Sequence, residues 1–137
     1  MNLLTKEWRQ GKDIGILIIR ILFGFILFYG HGLNKLIVLF AGQEIKFLDP
    51  IGIGVIPSFY LVAFAEGICA LLLIVGLFTR LSSIVLIINF MVILYFHKED
   101  EFNALEPIYF YLFTYIALLF TGAGKYALDN YLFKDKP

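Results

Sequence analysis

The chain of 137 residues has one cysteine, Cys69, and only 16% of it is charged. A single thiol permits no internal disulfide, no C-x-x-C dithiol and no four-cysteine zinc site, so any redox chemistry needs a cofactor or a partner. Eleven basic and eleven acidic side chains cancel. Without a basic field there is nothing to hold a polyphosphate backbone, and nucleic acid is excluded as a partner. Low-complexity linkers and internal repeats are missing too, so residues 1–137 read as a single domain. Apolar residues are what the chain has in excess: 61% hydrophobic, fifteen Phe, eight Tyr and a mean hydropathy of +0.87. Such a composition buries more apolar surface than ordering costs, which excludes a disordered chain and argues against a small water-soluble enzyme.

The apolar residues fall into four stretches, each near the roughly 20 helical residues that a bilayer core about 30 Å thick requires. The expected helices cover residues 14–40, 58–78, 81–96 and 104–121. The fold class is therefore all-α, a four-transmembrane-helix bundle with a short cytoplasmic tail over residues 122–137. Soluble helices carry a polar face, and Leu81 to Phe96 has almost none. Pro107 suits a first helical position, because its missing N–H would be unpaired there. A cleaved signal peptide over residues 1–30 is disfavoured, since Arg20 interrupts the apolar run and no small-residue cleavage site follows it. Between the first two helices, FLDPIGIGVIP is apolar but carries two prolines and two glycines. Irregular backbone cannot face lipid unsatisfied, so this segment reads as an interfacial or re-entrant loop over the outer mouth.

Orientation follows the placement of Lys and Arg. Lys6, Arg9, Lys12, Arg80, Lys125, Lys134 and Lys136 fall on one side, and Lys35, Lys46 and Lys98 on the other. Both termini are expected on the cytoplasmic side, with Trp8, Tyr95, Tyr109, Tyr126 and Tyr131 at the membrane interfaces.

Ionisable groups inside a membrane cost about 2.5–3.5 kcal/mol each on insertion scales, so each needs a partner or a watery cavity. Arg20, Gly24, His31 and Lys35 are spaced by four, seven and four residues, which makes one stripe if the first helix runs unbroken through Gly30 and Gly32. Glu66 on the second helix is the acid that Arg20, His31 or Lys35 could meet. Ala63, Gly67 and Ala70 beside it permit close helix contact. Two readings stay open: an ion pair that fixes helix register, or a polar pocket for a quinone, a proton or a small polar ligand, walled by Phe23, Phe28 and Phe64. Arg80 reads as a snorkelling anchor, Asn89 as a helix–helix hydrogen bond, His97 as solvated and Cys69 as a small packing residue. His31 and His97 lie apart, and no metal-ligand spacing, haem, flavin or nucleotide signature is present.

The ordered set Arg20, Gly24, Gly30-His31-Gly32, Lys35, Gly54 to Pro57, Glu66, Gly76-Leu77, Thr79-Arg80 and Gly122-Ala123-Gly124-Lys125-Tyr126 with Leu128-Asp129 resembles the DoxX family of small bacterial inner-membrane proteins. Ala127 stands where that family often has serine. The resemblance implies a four-helix membrane bundle associated with redox partners, among them thiosulfate–quinone oxidoreductases and complexes handling thiol or oxidative stress. On that basis the chain is expected to be a quinone-linked membrane subunit with a pocket formed by Arg20, His31, Lys35 and Glu66. The alternative is a non-catalytic scaffold that holds soluble redox proteins through Arg80, Lys125 and Asp129. Self-association is a further expectation.

The orientation is testable by labelling. With Cys69 replaced by alanine, Glu101→Cys should react with a membrane-impermeant maleimide in intact cells and Thr5→Cys should react only after permeabilisation. Labelling of both from outside contradicts the four-span topology.

Overall fold

The structure is a computed structural model that describes residues 4–134. Lys136, counted in the basic excess above, lies outside them. Among the described residues, four helices are long and apolar enough to cross a membrane: α1 (Arg9–Phe40), α2 (Val55–Val75), α3 (Thr79–Phe96) and α4 (Phe102–Thr121). A short α5 (Leu128–Leu132) follows, and no strand occurs among these residues. At 1.5 Å per residue α1 is about 48 Å long, more than the hydrocarbon core requires, while α3 and α4 come to about 27 and 30 Å.

The helix boundaries have local causes. Asp49 receives the N–H groups of Ile53 (2.9 Å) and Gly54 (3.0 Å) and the hydroxyl of Ser58 (3.2 Å), which stops the loop and starts α2 at Val55. Gly76 ends α2 at φ +76°, with Leu77 N–H on the Leu72 carbonyl (2.9 Å) and Gly76 N–H on that of Leu73 (3.2 Å). This is a Schellman ending, which satisfies carbonyls that the helix leaves open. A side chain at Gly76 would also strike Ala127, its Cβ landing 2.5 Å from the alanine Cβ. Pro107 is not at the first helical position: α4 starts five residues earlier, at Phe102, and the proline sits inside the helix. That early in a helix it removes one bond, to the Asn103 carbonyl, and is tolerated.

α1 continues through Gly30 to Gly32, but with a π turn at Phe28–Gly32, and α2 has a second at Phe64–Cys69. The two wide turns lie against each other. A Cβ on Gly32 would fall 2.0 Å from the Glu66 carbonyl oxygen, and one on Gly24 would fall 3.1 Å from that of Ala70. Small residues thus let α1 and α2 pack backbone to backbone, as the sequence suggested for Gly67 and Ala70. The core beside them consists of Leu27, Leu73, Leu86, Tyr115 and Leu118, all buried, with the Tyr115 hydroxyl donating to the Phe23 carbonyl (3.1 Å).

The segment after α4 folds back under the bundle. The Lys125 N–H donates to Asp13 (3.2 Å), which places both described ends of the chain at one end of the bundle. Asp129 accepts from the N–H groups of Phe78 (2.6 Å) and Thr79 (2.8 Å), and its own N–H donates to the Gly76 carbonyl (2.9 Å). A residue fifty positions away therefore caps α3, where the positive end of the helix dipole favours a carboxylate.

Two glycines two positions apart should behave oppositely. Gly30→Ala meets open space and should leave thermal unfolding in detergent unchanged or slightly improved; Gly32→Ala should unfold at much lower temperature. Asp129→Ala should cost about 1.5–3 kcal/mol, the usual worth of a hydrogen bond to a charged group, and Asp129→Asn less, read by the same melts.

Candidate functional site

At the end opposite the termini the four helices and the loop of residues 41–54 enclose a cavity of about 460 Å³. Its polar side is built by the two π turns. Because Gly32 seats α1 on the backbone of Glu66, Lys35, less than one turn further along, reaches that residue's carboxylate. Lys35 Nζ donates to Glu66 Oε2 at 2.7 Å, and the side chains are 17% and 5% exposed. From α3, Asn89 Nδ2 donates to Glu66 Oε1 at 3.1 Å. Both carboxylate oxygens are thus held, one by a cation and one by a neutral amide. The Lys35 ammonium also contacts the His31 carbonyl at 3.5 Å; an ammonium has three N–H bonds, and these acceptors take two.

α4 supplies the facing wall. Pro107, Ile108 and Tyr111 share one helical face and line the cavity. Tyr111 stacks on Phe90 with ring centroids 5.0 Å apart and meets the His31 ring edge-on at 6.5 Å. Phe47, Leu48 and Pro50 of the loop also border the space, and Phe47 packs edge-on against Phe59 on α2. Near the mouth, His97 lies 2.9 Å from Asp100. The result is an apolar chamber with one acid, one ammonium and one amide at its deep end and two imidazoles along its wall.

Of the four residues expected to form this pocket, His31, Lys35 and Glu66 line it and Arg20 does not. Arg20 is fifteen residues from Lys35 along α1, about 22 Å by helical rise. The intervening π turn also breaks the constant angular step on which the single stripe depended. Arg20 is buried at the termini end, where its guanidinium donates to the carbonyls of Ala123 and Tyr126, the latter at 2.8 Å. The aromatic wall differs as well. Phe47, Phe90 and Phe96 line the chamber, whereas Phe23 and Phe28 pack against the core and Phe64 faces outward.

Asn89, Tyr111 and His97 had no place in the expected pocket. Asn89 is the helix–helix hydrogen bond its sequence position suggested, but its acceptor is the site's own carboxylate. Tyr111 had a usable signal, since it repeats with Ile108 and Tyr115 at helical spacing. His97 gave none, because only the tertiary fold brings the end of α3 over the chamber.

The three residues expected to contact partners at the other end have internal bonds. Asp129 caps α3, and the Lys125 backbone binds Asp13. Arg80 Nη2 donates to the Phe120 carbonyl at 3.5 Å and lies over Gly122. Arg80 and Asp129 border a second, more open cavity of about 420 Å³.

Residues 15–99 match the family model named DoxX. A protein of Bacillus subtilis (strain 168) named "Putative oxidoreductase CatD" is 35% identical over 130 residues, which cover 90% of this chain and 91% of that protein. No solved structure matches the chain. With more than half its length in the family model and a relative aligned over nearly all of it, this membrane protein belongs to the DoxX family.

Proposed function

We propose that the chain is the membrane subunit of a redox system and binds the head of a lipid-soluble quinone in the chamber at Lys35, Glu66 and Asn89. The observation that carries this reading is the doubly held Glu66 carboxylate at the deep end of an otherwise apolar cavity. About 460 Å³ is in the range of small-molecule sites, which are mostly apolar with a few converging polar groups. The relative's name as an oxidoreductase supports a redox setting. In this reading the protein sits in the bacterial inner membrane with both termini cytoplasmic, and a soluble redox partner docks at the end carrying Arg80, Lys125 and Asp129.

A quinone, when bound, supplies two carbonyl acceptors and takes up two electrons and two protons on reduction to the quinol. The electrons come from the redox partner. Lys35 and Asn89 are the donors for one carbonyl, and both are already placed against Glu66. Lys35 gives that position a positive charge in a low-dielectric site, where it favours developing negative charge on a bound oxygen. Glu66 is the group that holds and passes a proton, released from its pairing as Lys35 turns to the ligand. Tyr111 and Phe90 offer flat apolar faces, and His31 and His97 line the route by which protons enter from the mouth.

Purified protein should bind a tail-less ubiquinone or menaquinone analogue saturably. Glu66→Gln and Lys35→Met should each weaken that binding at least tenfold, about 1.4 kcal/mol. Arg20→Gln, remote from the chamber, should lower the melting temperature and leave the binding constant within twofold. If the wild type binds no quinone and Lys35→Met with Glu66→Met melts at or above the wild-type temperature, the pair is a register lock and the chain is a scaffold.

A further inference from the structure

A second cavity, of about 290 Å³, lies on the far side of the chamber's wall. It occupies a fork between α2 and α3. These helices pack together along the Phe64–Val75 half of α2 and diverge along Val55–Ala63, the half that faces the end opposite the termini. Leu61, Val62 and Ala65 on one side and Val85, Ile88 and Val92 on the other line the opening. Pro50 and Ile53 of the loop close it above. Leu61 and Ile88 are more than half exposed, on faces that would meet acyl chains in a bilayer.

Pro50, Val62, Asn89 and Val92 border both this space and the chamber. Asn89 thus stands at the junction, its amide turned to Glu66 and its helix position shared with the apolar fork. Two adjoining spaces of such different character suit one amphipathic molecule: the chamber has an acid, a cation and an amide, and the fork has no charged residue among its lining.

Resting on the quinone reading above, we propose that the α2–α3 fork is the lateral entrance from the bilayer and holds the apolar tail of the ligand whose head lies at Lys35, Glu66 and Asn89. The occupant follows from the wall the two spaces share at Pro50, Val62, Asn89 and Val92. A head bound at Glu66 beside Asn89 sends its substituent past Val62 and Val92, and that path leads to lipid between Leu61 and Ile88. A tail seated there excludes water from the chamber's side wall and leaves the mouth at His97 as the aqueous route. Ala65, small and buried at the base of the fork, ends the path where α2 and α3 close together.

The test compares one quinone head with and without a decyl tail on the purified protein in detergent. The wild type should bind the tailed form at least tenfold more tightly. Leu61→Trp and Ile88→Trp, both at exposed positions that line the fork and not the chamber, should reduce that advantage to within twofold and leave the tail-less head unaffected. A tailed analogue carrying a diazirine should crosslink within residues 58–65 and 85–92. Equal binding of the two forms by the wild type beyond their partitioning into detergent alone, or crosslinks on other helices, overturns the entrance and leaves the quinone site standing. Absence of saturable binding by either form overturns both.

Discussion

The site depends on one contact, the seating of the Gly32 backbone on the backbone of Glu66. Inside a bilayer the lipid is as apolar as the side chains, so helices gain little from hydrophobic burial and associate where small residues let them approach closely. Gly24 meets α2 near Ala70, and Gly32 meets it at Glu66. Each helix is wound as a π turn at the second contact, and such turns often mark functional positions. The close approach fixes the heights of Lys35 and Glu66 relative to each other. With any side chain at position 32 the helices would have to separate, and the lysine would lose its acid.

Two buried polar systems result, and they differ in kind. At the termini end Arg20 gives its guanidinium protons to carbonyls of residues 123 and 126, while Asp129 is taken up by two backbone N–H groups. These bonds tie the segment after α4 to α1 and to the start of α3, and they account for the arginine as a structural clasp. Glu66, by contrast, is held by two side chains that also border open space. A buried ion pair is weak evidence for stability, since apolar replacements of similar volume often do as well. Its position on a chamber wall is the reason to assign it a ligand.

The chamber and the fork adjoin across a wall that includes Asn89, and the proposed ligand would occupy both. In the proposed reading, lipid reaches the fork between α2 and α3, and water reaches the mouth beside His97 and Asp100. Such an arrangement suits a reactant that arrives from the membrane and exchanges protons with the aqueous side. The loop of residues 41–54 borders both cavities, and Asp49 gives it a fixed end by binding Ile53, Gly54 and Ser58. The apolar and irregular character of that loop has a direct reading: Phe47 and Pro50 are walls, and the N–H groups of Ile53 and Gly54 are bound by one carboxylate.

The sequence alone determined the four spans, because a run of apolar residues long enough to cross a bilayer has few other stable forms. It also singled out Lys35, His31 and Glu66, since a charged residue in such a run is costly wherever it ends up. It could not tell Arg20 from Lys35 as the partner of Glu66. That choice rests on a π turn, which changes the angular step of α1 without any residue that announces it, and on carbonyls more than a hundred positions away that claim the arginine. Nor could periodicity place His97 over the chamber or open the fork, because both depend on where α2 and α3 diverge. Covalent spacing along a helix is written in the sequence; the meeting of groups on different helices was decided by backbone packing in three dimensions.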